Sequence, residues 1–283
     1  MKLRKLLQLG IACLSLATMV ACSDSSASGG GTLLSTLKNG GTVTIGTSSD
    51  APLSYVDSSS GQLVGVLPDM ISEFVKREGA SGKVKLQPAT MPFDSLIPSL
   101  QSGRIDIVGD AMYATDARKK IIDFTNTTFY NPEGLVVPKG NPNNLHKLSD
   151  LCGHSAGSYQ GTTYIDVINQ TSAKCAKPIT LKSYPKIEDV MADISAGRLD
   201  AGVIDASLTA YAVKQNPNLG IELVSDYQPP SKSSDGCAFG VTKDNAGFIN
   251  EWNKVYAQMT ADGTVAKILQ KWGLTPTDYF LTP

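Results

Sequence analysis

The sequence writes one structural unit twice. Phe93-Asp94-Ser95-Leu96-Ile97-Pro98-Ser99-Leu100-Gln101-Ser102-Gly103-Arg104-Ile105-Asp106 aligns without a gap on Ile187-Glu188-Asp189-Val190-Met191-Ala192-Asp193-Ile194-Ser195-Ala196-Gly197-Arg198-Leu199-Asp200, 94 positions later. In both copies apolar residues recur at i, i+3, i+4 and i+7, which predicts an amphipathic helix, and a Gly stops it. An apolar run follows, over 105–108 in the first copy and 199–204 in the second, and reads as a buried strand. A unit that returns once over so long an interval is no solenoid, whose repeats recur every ~20 to 50 residues. It predicts two similar α/β lobes facing a cleft, and clefts between domains are where small ligands bind.

Residues 1–21 place Lys2, Arg4 and Lys5 ahead of an apolar stretch over 6–20, too short to span a bilayer and shaped like a secretory signal. The chain is therefore expected to be exported, to a periplasm or a cell surface. The signal ends Met19-Val20-Ala21-Cys22, similar to a bacterial lipobox, in which Cys22 is lipidated after cleavage. The alternative is an ordinary secreted protein with an incidental Cys22. Residues 23–31, mostly Ser, Gly and Ala, cannot bury a core and read as a flexible tether, which we extend over 22–39. Removing the leader takes three of 25 basic residues, leaving 22 against 26 acidic ones and a net charge of −4. Nothing in that balance points to nucleic acid.

The length suits two modest lobes. The Pro138-Lys139-Gly140-Asn141-Pro142 segment marks a crossing to the second lobe, and Pro229-Pro230, in a loop over 226–235, marks the return. The expected order is lobe 1 over 40–138, lobe 2 over 139–232, and a return to lobe 1 over 233–283. Two crossing strands make a hinge that permits closure about a fixed axis. Export makes a disulfide reasonable. Cys152 and Cys175 flank one predicted strand-helix unit of the second lobe, while Cys237 lies in an apolar strand beyond it. The expected pair is Cys152 with Cys175, leaving Cys237 buried and free, against an alternative of three unpaired thiols. His146 and His154 are the only histidines, and no Cys/His spacing resembles a metal site.

Several motifs in order carry a family resemblance: Gly61-Gln62-Leu63-Val64-Gly65-Val66 with Asp69, the two repeat units, Thr115-Asp116-Ala117-Arg118 with Ile122-Asp123-Phe124-Thr125, Gln160-Gly161-Thr162-Thr163, and Asp262-Gly263-Thr264 with Lys271-Trp272-Gly273. Together they resemble the extracellular solute-binding proteins, family 3, of bacterial ABC importers, in the branch that binds amino acids. The resemblance implies the α/β two-lobed periplasmic-binding-protein fold of type II. It also implies a monomer without cofactor that hands a small zwitterionic or cationic solute to permease and ATPase subunits.

Arg118 matches the family's carboxylate-binding Arg, and a guanidinium presents paired planar donors suited to that group. Gly161, Thr162 and Thr163 offer a helix start from the other lobe, with free N–H groups and a hydroxyl for the same anion. Asp205 ends the second buried strand, where an unpaired acid is costly. The resemblance makes it the receiver of the ligand's ammonium, with capping of the next helix as the plain alternative. Asp50 stands where the family commonly has an aromatic residue, and a second acid facing the cleft suits a cationic ligand. Asp50 before Ala51-Pro52, together with Ala111-Met112-Tyr113, is locally similar to ectoine-binding members. Asp110 is a third acid beside the site, facing either the cleft or its own turn. Tyr55, Phe93 and Tyr113 are candidate aromatic walls. The rival reading is an exported dehydratase on the same fold, which needs an acid-base pair that no cleft motif supplies with a His. A sensory binding domain is the third.

Overall fold

The computed structural model describes residues 32–229 and 236–274. The leader, Cys22, the start of the tether and the Pro230 end of the return crossing lie outside the described residues. The chain opens with α1 (Leu33–Asn39), β1 (Gly41–Thr47), a small hairpin of β2 (Tyr55–Val56) and β3 (Leu63–Val64), α2 (Val66–Arg77), β4 (Val84–Thr90), α3 (Leu96–Gln101), β5 (Ile107–Val108), α4 (Asp116–Lys119) and β6 (Asp123–Phe124). Then come β7 (Glu133–Pro138), β8 (Ser155–Tyr159), α5 (Thr163–Ser172), β9 (Thr180–Tyr184), α6 (Ile187–Ser195), β10 (Ala201–Asp205), α7 (Ala206–Gln215) and β11 (Ile221–Leu223). β12 (Gly240–Val241), α8 (Ala246–Ala261) and α9 (Thr264–Lys271) close the described chain.

Two five-stranded sheets result, ordered β4-β1-β5-β12-β6 and β11-β7-β10-β8-β9. Read from opposite edges they follow one plan. Three parallel strands lead, then one antiparallel strand, β12 or β7, supplied from across a crossing. The sequence repeat is the third strand of each plan with its preceding helix, α3 with β5 and α6 with β10. Gly103 (φ 71°) and Gly197 (φ 67°) both adopt the left-handed conformation that only Gly enters without penalty. The Arg after each returns its N–H five residues back, to Ser99 and Asp193, so both helices stop in the same way.

Some expectations need correction. Residues 33–39, assigned to the tether, form α1, because Thr32 caps its start and Leu37 is fully buried. β7 belongs to the second sheet, so the chain crosses before Glu133 and the Pro138 to Pro142 turn lies inside lobe 2. A fully buried run such as Leu135-Val136-Val137 reads alike in either sheet, and its register alone reveals its lobe. β6 is confined to Asp123–Phe124, and Ile121, just beyond α4, is 47% exposed. β4 runs on through Pro88, tolerated because β4 is an edge strand. Cys237 makes isolated bridges to Tyr113 and Phe129 ahead of the regular strand.

The bridge to Phe129 joins the two crossing segments: Thr128 N–H donates to the Cys237 carbonyl at 2.8 Å, and Cys237 N–H donates to the Phe129 carbonyl at 2.8 Å. The hinge is thus a hydrogen-bonded pair. Below it Trp252 of α8 packs on Phe74 and Phe239, with centroids 5.4 and 4.7 Å apart, at the centre of the lobe 1 core. Cutting such a residue to Ala costs about 3–5 kcal/mol. Cys152 and Cys175 are joined, 23 residues apart, while Cys237 is free and buried, as the sequence placement predicted.

Candidate functional site between the lobes

Parallel strands aim their carboxyl ends at one crevice, and chain leaving those ends carries the ligand-facing residues in such sheets. β1 runs out into Ser48-Ser49-Asp50, β5 into Gly109-Asp110-Ala111, β8 into Gln160-Gly161, and β10 ends on Asp205. Phe93, Ala111, Tyr113 and Arg118 of lobe 1 and Tyr159, Thr162, Thr163 and Tyr164 of lobe 2 line one narrow space.

Arg118 is placed by local chemistry. Thr115 caps α4 by accepting the Arg118 N–H at 3.3 Å, which turns the side chain towards the crevice. Its Nη1 donates to the Tyr113 carbonyl at 2.8 Å and its Nη2 crosses to the Gly161 carbonyl at 2.9 Å. The guanidinium lies 5.4 Å from the Phe93 ring centroid, within cation–π range, and Tyr159 meets the same ring edge-on at 5.8 Å. Gly161, at φ 80°, lets the lobe 2 turn approach Asp94 so closely that a Cβ there would fall 2.8 Å from the Asp94 Cα. Thr162 begins α5, but its hydroxyl donates to the Tyr159 carbonyl at 2.8 Å and stays in its own turn.

Asp205 is 2% exposed and makes no side-chain cap to α7, which sets the capping alternative aside. It accepts from Tyr159 at 2.5 Å, Tyr164 at 2.9 Å and Asn131 Nδ2 at 2.5 Å. Ser207 donates to Asn131 Oδ1 at 2.5 Å, fixing that amide, and the Tyr113 hydroxyl meets both the Asn131 carbonyl and Tyr164. Burial raises the Asp205 carboxyl to about 6 although both tyrosine bonds pull the other way.

Asp110 bonds its own turn, accepting Ala111 N–H at 2.7 Å, and reaches back to β1, accepting Ser48 N–H at 2.5 Å and the Ser48 hydroxyl at 2.6 Å. Asp50, 3% exposed, shares that hydroxyl at 2.7 Å. Burial first, then the Asp110 carboxylate, holds the Asp50 carboxyl well above the usual range. Tyr55 stands outside this group: it packs edge-on to Trp272 at 6.0 Å, and its pKa is raised by burial and by Tyr211 of α7.

Tyr159, Tyr164, Asn131 and Ser48 complete the constellation and carry no motif of their own. Only Tyr164 had a signal, its place on the first turn of α5 behind Gly161. His146 pairs with Asp226 at 2.9 Å and His154 with Asp200 at 3.7 Å, away from the crevice.

Residues 43–275, which hold every residue of the constellation, match one family. The chain belongs to the bacterial extracellular solute-binding proteins, family 3. This family 3 chain is 31% identical over 235 residues to the lysine/arginine/ornithine-binding periplasmic protein of Escherichia coli (strain K12), covering 82% of this chain and 87% of the relative. Among solved structures, it resembles an ancestral arginine-binding protein bound to arginine, with TM-score 0.71, 32% identity, and coverage of 82% of this chain and 98% of the other. It also resembles an ancestral amino acid-binding protein described as a precursor of cyclohexadienyl dehydratase, at TM-score 0.70, 27% identity, and coverage of 82% and 95%. The family is one of extracellular solute-binding proteins, which supports export of this chain.

Proposed function

We propose that this family 3 protein captures a small amino acid or amino-acid derivative bearing a cationic group, closes around it, and presents the closed form to the permease and ATPase subunits of an ABC importer. The observation that carries the reading is the meeting of Arg118 from lobe 1 with the Gly161 turn and the Asp205 cluster from lobe 2 in one buried crevice. A solute whose carboxylate engages Arg118 and the α5 start touches both lobes, and those added contacts select the closed form. The lysine/arginine/ornithine-binding and arginine-bound relatives support the solute class. Phe93 and Tyr113 wall the solute, and Ala111 leaves it room. Tyr55 serves the rim of the cleft. The chain is held to the membrane through a lipidated Cys22.

The test is a thermal-shift screen over amino acids, polyamines, ectoines and betaines with product analysis of each mixture. Solute at about a hundred times its dissociation constant adds about 2.7 kcal/mol to stability. Stabilisation without turnover supports the reading. Product formation replaces it with the enzyme, and a panel without any stabiliser contradicts it.

A further inference from the structure

The solute-binding constellation leaves one sequence motif unused, Asp69 with Lys271-Trp272-Gly273. Asp69 stands in the first turn of α2 and accepts from Lys271 Nζ at 2.6 Å and from Trp272 Nε1 at 2.7 Å. The carboxylate fixes the indole, and Tyr55 packs edge-on against it with centroids 6.0 Å apart. Gly273, at φ 73°, ends α9: its N–H donates to the Gln270 carbonyl, and the Leu274 N–H reaches back to Leu269. All of these groups belong to lobe 1. What meets them from the other side is α7, which packs on β7, β10 and β11 of lobe 2. Tyr211 and Lys214 stand at i and i+3 on one face of that helix. Burial first, then the charge and a hydrogen bond of Tyr211, raises the Tyr55 pKa, so the two hydroxyls, one from each lobe, are within reach of each other. Lys214 Nζ lies 3.3 Å from where a Cβ on Gly273 would stand, at the C-terminal end of α9, the pole of a helix dipole that favours a cation.

We propose that Tyr211 and Lys214 of α7 form a latch that closes on Tyr55 and the end of α9, stabilising the closed form without touching the solute. This rests on the solute-binding reading above and adds to it a control of affinity that is separate from the choice of solute. Contacts within a lobe are kept whether the cleft is open or shut, and they cancel from the closing equilibrium. The α7 contacts join the lobes, so opening removes them and their whole free energy favours closure. Tyr211, Lys214, Tyr55 and Trp272 are all absent from the lining of the narrow space between the lobes. A change in the latch therefore alters the closed fraction alone, and the apparent affinity for every solute scales with that fraction. Arg118 also joins the lobes, through Gly161, but it lines that space, so its effect depends on what fills it. The lobe 1 half of the latch is preformed. Asp69 holds Trp272 and Trp272 backs Tyr55, so little side-chain ordering opposes the docking of α7.

The experiment is calorimetric titration of L-arginine, L-lysine, ectoine and L-glutamine into the unmodified protein, Tyr211→Phe, Tyr55→Phe, the variant with both changes, and Lys214→Gln. Tyr211→Phe weakens every probe that binds by one common factor of about three- to tenfold and leaves the order of preference unchanged. Tyr55→Phe with Tyr211→Phe costs no more than either alone, since both remove the same contact. Lys214→Gln also weakens all probes by a common factor, and its effect fades as salt is raised. Far-UV circular dichroism of each variant matches the parent, because Phe keeps the ring and Lys214 is exposed. Parental affinity in Tyr211→Phe or in Lys214→Gln, losses that differ from probe to probe, or additive losses in the double variant overturn the inference alone. Failure of every probe to bind the unmodified protein contradicts the solute-binding reading and removes the latch with it.

Discussion

Arg118 Nη2 donates to the carbonyl of Gly161 at 2.9 Å, one group from each lobe. The contact exists because position 161 has no side chain: at φ 80°, with Asp94 Cα 2.8 Å from where a Cβ would stand, the turn admits only Gly without a shift of backbone. Gly161→Ala is therefore expected to hold the lobes apart. The left-handed conformation costs an L-residue about 1–2 kcal/mol of fold stability, and the clash with Asp94, met as the lobes close, predicts weaker solute binding and a larger radius of gyration in the liganded state. Small-angle scattering with and without solute checks it, and a variant that closes like the parent refutes it.

The Asp205 carboxyl predicts a pH dependence of stability with a definite sign. Its pKa is raised to about 6 in the folded protein, above the unfolded value, so the native state binds more protons between those values. That contribution is fully present below the unfolded pKa and is lost as pH rises through about 6. Asp50 and Asp110, also raised, act in the same direction. Denaturant midpoints of the solute-free protein across pH 4 to 7 should fall with pH more steeply than those of Asp205→Asn. Equal slopes would remove Asp205 from the account.

The disulfide closes a short loop in lobe 2, its two ends separated by 23 positions in sequence. Loops of that order stabilise by about 3 kcal/mol, through the unfolded chain. Cys175→Ser should lower unfolding free energy by that amount, and peptide mapping of the oxidised parent should recover Cys152 bonded to Cys175. Cys237 should react with an alkylating reagent only after unfolding, since it is fully buried.

Lipidation of Cys22 is expected to make it the first residue of the mature protein. Mass spectrometry of protein taken from its native envelope should find acyl groups there, whereas an unmodified terminus elsewhere ends that proposal.

What could be read in the sequence was whatever short-range chemistry decides. The Thr115 cap sets Arg118, Gly103 and Gly197 stop their helices, and an acid closing the apolar run of β10 announces Asp205, because each depends on neighbours within a few residues. The lobe of β7 was not legible, since Leu135-Val136-Val137 is buried on both faces wherever it pairs. β9 and β11 escaped notice as edge strands that are half exposed and carry Lys182 and Glu222, a composition that suits an edge and hides the strand pattern. In the crevice, Asn131 and the turn that carries Tyr159 and Tyr164 are far apart in sequence, and folding alone brings them to one carboxylate. The hydrogen bond from Ser48 to Asp110 joins residues 62 positions apart and could not be counted before the strands were in register.

Calorimetric titration of the unmodified protein and of Arg118→Ala with the strongest stabiliser from the screen tests the central claim most directly. Removing one partner from a desolvated charged pair costs about 3–5 kcal/mol. The account predicts one solute per chain without turnover, and an affinity lower by a factor of about a hundred or more in Arg118→Ala. Near-parental affinity in that variant would contradict the carboxylate grip and, with it, the way the lobes are held around the solute.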